Sequence, residues 1–88
     1  EVGFGEFLRF FPNPTQDRFF VAFDTEEAQH SVEVSLYDIN GRVVYQEFLG
    51  TVWPGQRHEI DMSVLPKGIY PVTVQSEHFL HTDRIIKR

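Results

Sequence analysis

Short runs that alternate apolar and polar residues cover most of this 88-residue chain. In the clearest run, Val32, Val34 and Leu36 alternate with Glu33 and Ser35. Side chains of a β-strand point to opposite faces in turn, so a run of this kind has one buried and one solvated face. Turn-forming residues separate the runs about every 8–12 positions, which is the spacing of a β-sandwich or barrel. The pattern therefore predicts an all-β fold.

Seven runs are predicted as strands, and they cover residues 7–11, 18–24, 30–39, 42–49, 56–62, 69–76 and 79–87. Alternation points two sets of side chains inward, namely Val32, Val34 and Leu36, and Tyr70, Val72 and Val74. It groups two further sets on one face each, namely Phe19, Val21 and Phe23, and His58, Ile60 and Met62. Residues 24–29 are the only candidate for a helical turn, and this segment is too short for a stable helix.

The composition fits one small domain and excludes several functional classes. Nine Phe, three Tyr and one Trp can supply its core. Cysteine is absent, so disulfides and cysteine-based metal sites are excluded. The net charge of −5 argues against nucleic acid as a partner, because nucleic-acid modules present a basic surface. We interpret residues 1–6 as the end of a linker to an upstream domain in a longer precursor, and residues 7–88 as the domain itself.

The strongest turn signal is Asn40-Gly41, which predicts a two-residue type I′ hairpin because both positions of that turn require positive φ. Asp38 and Arg42 flank the turn and are placed to pair across it. An exposed pair of this kind contributes only about 0–1 kcal/mol.

Proline marks further turns. Pro12 and Pro14 fix φ on both sides of Asn13, whose side chain can then bond to nearby backbone amides. Residues 66–68, Pro-Lys-Gly, suit a turn that places glycine in a left-handed conformation.

No residue pattern indicates catalysis, and we predict no enzyme activity, metal or cofactor. The four histidines, His30, His58, His78 and His81, are expected to be solvated or at strand edges. No Gly-x-Ser-x-Gly elbow is present, and no Asp-x-Asp-x-Asp run suggests calcium. Trp53 lies in a predicted loop, where an exposed ring is a weak indication of carbohydrate stacking.

The last residues combine apolar and basic character. Ile85 and Ile86 precede Lys87 and Arg88, so the sequence places two exposed positive charges at the end of an apolar strand. This combination can serve as an address that a receptor recognises.

The sequence resembles the type A C-terminal sorting domain of the type IX secretion system of Bacteroidota. The resemblance rests on the order of four motifs, which are Phe11-Pro12-Asn13-Pro14-Thr15, Asp38-Ile39-Asn40-Gly41-Arg42 within residues 34–44, Leu65-Pro66-Lys67-Gly68-Ile69-Tyr70 within residues 60–70, and Ile85-Ile86-Lys87-Arg88. It covers residues 10–88. It implies an immunoglobulin-like sandwich of seven antiparallel strands and a non-catalytic signal that carries a cargo from the periplasm across the outer membrane to the cell surface or the medium.

The resemblance also implies partners and a site. The partners are the type IX translocon, outer-membrane shuttle proteins and a surface sortase that removes the domain while the cargo is joined to anionic lipopolysaccharide. The export signal is expected in the last two strands, at Lys67, Gly68, Ile69, Tyr70, Ile85, Ile86, Lys87 and Arg88. Pro71 departs from the aliphatic residue usual in the family and predicts that its strand is an edge at that position, or bulged. The alternative function is a carbohydrate-binding or adhesive module of a secreted enzyme.

Overall fold

The computed structural model describes residues 8–88. This part of the chain forms seven strands, which are β1 (Leu8–Phe11), β2 (Arg18–Phe23), β3 (Gln29–Tyr37), β4 (Val43–Val52), β5 (Arg57–Asp61), β6 (Gly68–Gln75) and β7 (Leu80–Lys87). The predicted linker at residues 1–6 and the first residue of the first predicted strand lie outside the described residues. None of the described residues forms a helix of the length and apolarity needed to cross a membrane.

The strands form two antiparallel sheets. One sheet has three strands in the order β1-β2-β5, and the other has four in the order β4-β3-β6-β7. The prediction of an all-β, immunoglobulin-like sandwich of seven antiparallel strands is confirmed. β4 pairs with β3, whereas the constant-type immunoglobulin arrangement places the fourth strand in the other sheet.

The core lies between the two sheets. Of the twelve side chains that alternation groups on a shared face, eleven are buried, namely Phe19, Val21, Phe23, Val32, Val34, Leu36, Ile60, Met62, Tyr70, Val72 and Val74. Leu8, Val52, Phe79 and Ile85 complete it. His58 is half-buried, because it lies on the edge strand β5, where its ring reaches the rim of the sandwich.

The predicted boundary of β4 is too short. The strand continues past Leu49 to Val52. Gly50, with φ of 71°, pairs with Val32, and the register shifts on either side of Val32. A bulge of this kind lets pairing resume beyond an irregular position, so the strand continues past the residues whose apolar and polar side chains alternate.

The β3–β4 turn is not the predicted type I′ turn. Gly41 has φ of 85°, but Asn40 does not have positive φ, so only one of the two required positions is left-handed. The Gly41 amide donates to Asp38 O at 3.0 Å, and the Asp38 amide donates to Arg42 O at 2.9 Å. These bonds describe a longer hairpin connection that ends in a left-handed glycine, and the register shift at Tyr37 accompanies it.

Two predictions at proline-marked turns concern local backbone geometry. Strand β6 is interior to its sheet, and the edge prediction from Pro71 applies only at that position. At Pro71 itself it holds, because the pairing with β3 ends at Val72 and only β7 continues alongside. Gly68 follows its turn with φ of 157°, a positive value that side chains rarely adopt, so the predicted need for glycine at this position is confirmed.

Candidate functional site

The four motifs meet at one end of the sandwich. Strand β3 ends at Tyr37, β6 begins at Gly68 and β7 ends at Lys87, and these strands are antiparallel neighbours. The carboxyl end of β3, the amino end of β6 and the carboxyl end of β7 therefore lie together. Residues 11–15 reach the same place through direct bonds to β7. We call this region the motif end.

Asn13 joins the first motif to the last strand. Its Oδ1 accepts a hydrogen bond from the Ile86 amide at 3.0 Å, and its Nδ2 donates to Arg84 O at 2.9 Å. The prediction that Asn13 bonds to nearby amides is wrong, since both partners are more than 70 residues away in sequence. The Asn13 amide group thus satisfies main-chain groups on the outer edge of β7.

Thr15 continues this attachment as a parallel bridge to Lys87. Its amide donates to Ile86 O at 2.8 Å, and its carbonyl accepts from the Arg88 amide at 2.8 Å. The Thr15 hydroxyl donates to Arg18 O, which fixes the chain as it enters β2. The edge of β7 near its carboxyl end is therefore already paired within the domain, so a partner strand cannot add there without displacing Thr15.

Lys87 is a buried residue with a fixed partner set. Its side chain points inward, and the residue is 8% exposed. Nζ donates to Met62 O at 2.7 Å, to Leu65 O at 2.6 Å and, more weakly, to Ser63 O at 3.4 Å. An ammonium group has three protons to donate, so these carbonyls of the β5–β6 connection can account for all of them.

The prediction of two exposed terminal charges is wrong for Lys87 and correct for Arg88, which is exposed. The reason is strand alternation, which turns Lys87 toward the interior beside Ile85.

The remaining residues of the expected export signal divide between the two faces. Tyr70 and Ile85 are paired neighbours and point into the core. The Tyr70 hydroxyl donates to Pro66 O, the tyrosine-corner arrangement of immunoglobulin-like folds. Ile69 and Ile86 are also paired neighbours, and they lie on the outer face.

Asp38 organises the second motif. Its Oδ1 accepts from the Asn40 amide at 2.8 Å and the Arg42 amide at 3.0 Å, and its Oδ2 accepts from Arg42 Nε at 2.8 Å. The predicted pair between Asp38 and Arg42 is confirmed. These bonds, led by the Arg42 amide, hold the pKa of Asp38 below its ordinary value.

An open pocket of about 640 Å³ lies at the motif end. It is lined by Gln16, Asp17, Leu65, Pro66, Lys67, Lys87 and Arg88. The third and fourth motifs thus share one solvent-accessible surface with the segment that follows the first.

Comparison with known families agrees with this geometry. The family described as the secretion system C-terminal sorting domain matches residues 9–88, nearly the whole chain. The chain belongs to this family. The resemblance to the type IX sorting domain is therefore confirmed. A search of curated proteins finds no match.

A polar cluster that the sequence analysis missed bridges the two sheets of the sorting domain at the edge opposite β7. The Tyr45 hydroxyl donates to Glu47, and His58 Nε2 lies 3.0 Å from Glu47 Oε1. Burial, together with the Glu47 bond, raises the pKa of Tyr45, and the bonds from Tyr45 and His58 lower the pKa of Glu47. The sequence pattern that could have indicated this cluster is the second face of β4, which is partly apolar and therefore does not fix which side chains of the strand point inward.

The other candidate residues of the sorting domain are dispersed. Among residues 8–88, no three His, Cys, Asp or Glu side chains converge as metal ligands. His81 stacks on Phe10 with ring centroids 5.8 Å apart. Trp53 is 62% exposed in the turn between β4 and β5, at the end opposite the motif end.

Proposed function

We propose that this domain is a non-catalytic export signal that carries an upstream cargo from the periplasm across the outer membrane through the type IX secretion system. Family membership supports the secretion role. The expected outcome is a cargo at the cell surface or in the medium.

The observation that carries this proposal is the bonding between distant motifs. Asn13 and Thr15 bind the main chain of residues 84–88, and Lys87 binds carbonyls just before and at the start of the third motif. The residues expected to form the signal thus acquire a common geometry only when the sandwich is folded. A translocon component can then recognise the folded motif end.

The same proposal assigns the partners. The translocon and its outer-membrane shuttle proteins would bind the domain during transit. A surface sortase would then cut at or before residues 1–7 and join the cargo to anionic lipopolysaccharide. A cut there fits the domain, because Leu8 is already buried as part of β1, and proteolysis favours accessible chain outside packed elements.

Export is tested by fusing residues 1–88 to the carboxyl terminus of a folded reporter that carries a periplasmic signal peptide. We expect secretion of the fusion in a host with a working type IX system and periplasmic retention in a translocon-deleted strain. Retention in both strains would contradict the proposal. Deleting residues 85–88 is a poor test, because it removes the buried Ile85 and Lys87 and is therefore expected to destabilise the domain as well as remove the signal.

Cleavage is tested separately by mass spectrometry of the released reporter. The expected mature carboxyl terminus lies at or before residue 7. A terminus inside β1 or beyond would contradict the assigned cut, while leaving the export role intact.

A further inference from the structure

The outer face of the β6–β7 pair carries an apolar surface at the motif end. Ile69 pairs with Ile86, and Pro71 pairs with Arg84. All four flank the inward-pointing Tyr70 and Ile85, so alternation places them on the outer face. Ile69 is 49% exposed despite its size.

Cations border this surface. Arg84 lies on it, Lys67 precedes β6 and Arg88 follows β7, and all three are exposed. Within residues 8–88 none of the three forms a salt bridge, in contrast to Arg42, which pairs with Asp38. These three cations lie together on a chain whose net charge is −5. The carboxylates beside them are Asp17 in the pocket lining and Asp83, which precedes Arg84 on β7.

We infer that Ile69, Pro71 and Ile86, with the bordering Lys67, Arg84 and Arg88, form a docking surface, here called the outer patch, for an apolar protein surface bordered by carboxylates. The inference deepens the proposed function, on which it rests. An apolar centre with a charged rim is the usual anatomy of a protein interface, and complementary rim charges speed association. Lys87 and Tyr70 lie outside the outer patch and act by holding the motif end together.

A protein fits the outer patch better than a membrane does. Interfacial membrane binding inserts protruding aromatic and leucine side chains about 5–10 Å below the headgroups. The outer patch has no aromatic residue, and its apolar side chains lie within a sheet face. The exposed aromatics of the outer surface, Phe48 and Trp53, lie elsewhere.

The first experiment removes the apolar centre in the reporter fusion. The pair Ile69→Thr and Ile86→Thr is compared with the matched pair Phe48→Thr and Leu80→Thr, since Phe48 and Leu80 are 67% and 65% exposed on the same sheet face but away from the motif end. Threonine preserves strand propensity. We expect the outer-patch pair to lower the secreted fraction at least about tenfold, the effect of 1.4 kcal/mol in binding. The control pair should stay within about twofold, well inside that tenfold criterion.

The second experiment removes charge without touching packing. Arg84→Gln with Arg88→Gln should lower secretion by a similar factor. Arg9→Gln with Arg57→Gln removes the same charge from the three-stranded sheet and serves as the control for charge, although it also removes the ion pair of Arg9 with Asp24 and the contacts of both guanidinium groups with the Phe11 ring. Denaturant midpoints of all four double variants identify any loss of secretion that comes from unfolding. If the Ile69→Thr and Ile86→Thr variant unfolds, the comparison of the two charge variants tests the inference.

The outcomes separate this inference from the proposed function. If the wild-type fusion is not secreted, both fall. If it is secreted and the folded outer-patch variants are secreted equally well, the docking surface is wrong and the export role stands. Binding of the wild-type fusion to phosphatidylglycerol vesicles that the outer-patch variants lose would assign the surface to a membrane and overturn the inference. A concentration-dependent dimer in sedimentation, lost in the same variants, would assign it to a second copy and overturn it equally.

Discussion

Lys87→Ala should destabilise the domain strongly, although lysine is normally a surface residue. The change removes two short hydrogen bonds from a cation to Met62 O and Leu65 O, each contributing roughly 1.5 kcal/mol or more. It also removes three buried methylenes at about 0.8 kcal/mol each. Side-chain freedom regained by the loss of lysine offsets about 2 kcal/mol. We therefore expect a net loss of about 2–4 kcal/mol.

The assay is urea unfolding of the domain, with the thermal midpoint as a second measure. A loss of 3 kcal/mol should lower the melting temperature by about 12–24 °C in a domain of this size. Arg88→Ala is the matched control, since it removes a neighbouring exposed charge and should change stability by no more than about 0.5 kcal/mol. Lys87→Met keeps the apolar stem and should fall between the two. A Lys87→Ala midpoint indistinguishable from that of Arg88→Ala would refute the assigned contacts.

Three further changes test other parts of the domain. Gly41→Val should cost about 1–3 kcal/mol, because a β-branched residue resists the φ of 85°, whereas Gly41→Asn should cost much less in the same urea titration; equal costs would contradict the left-handed assignment. Asn13→Ala should cost about 1 kcal/mol and speed hydrogen exchange at the Ile86 amide, its donor; unchanged exchange would argue against that bond. Glu47→Gln should flatten the acid limb of the stability curve. The folded pKa of Glu47 is lowered, so its contribution is present above the ordinary pKa of 4.5 and lost as pH falls through the folded value; an unchanged acid limb would contradict the cluster.

The strands and the core were predictable because strand alternation is a local signal. Phe19, Val21 and Phe23 alternate as expected and are fully buried. The bulge at Gly50 and the backbone conformation of Asn40 could not be predicted in this way. A bulge and a turn type depend on the twist and register of both paired strands, which the local sequence does not determine.

The site was predictable as a set of motifs but not as a geometry. The sequence identifies Asn13 and Lys87 as members of motifs, but their hydrogen-bond partners are distant in sequence. No local pattern predicts that Asn13 binds the last strand. The inward direction of Lys87 follows from the same alternation that buries Ile85. The sequence alone predicts that Lys87 is exposed, because lysine is rarely buried without hydrogen-bond partners. Its partners are main-chain carbonyls, and every residue has one, so the sequence does not identify which of them would bind Lys87.

The most direct test of the export role is the location of the native precursor in paired strains with and without the type IX translocon. Cell fractions and medium would be probed with an antibody against the cargo and another against residues 8–88. The account predicts that the cargo reaches the surface or medium in the intact strain, and that deletion leaves it in the periplasm with the domain still attached. An equal secreted fraction in both strains would contradict the assignment of this domain as a type IX export signal.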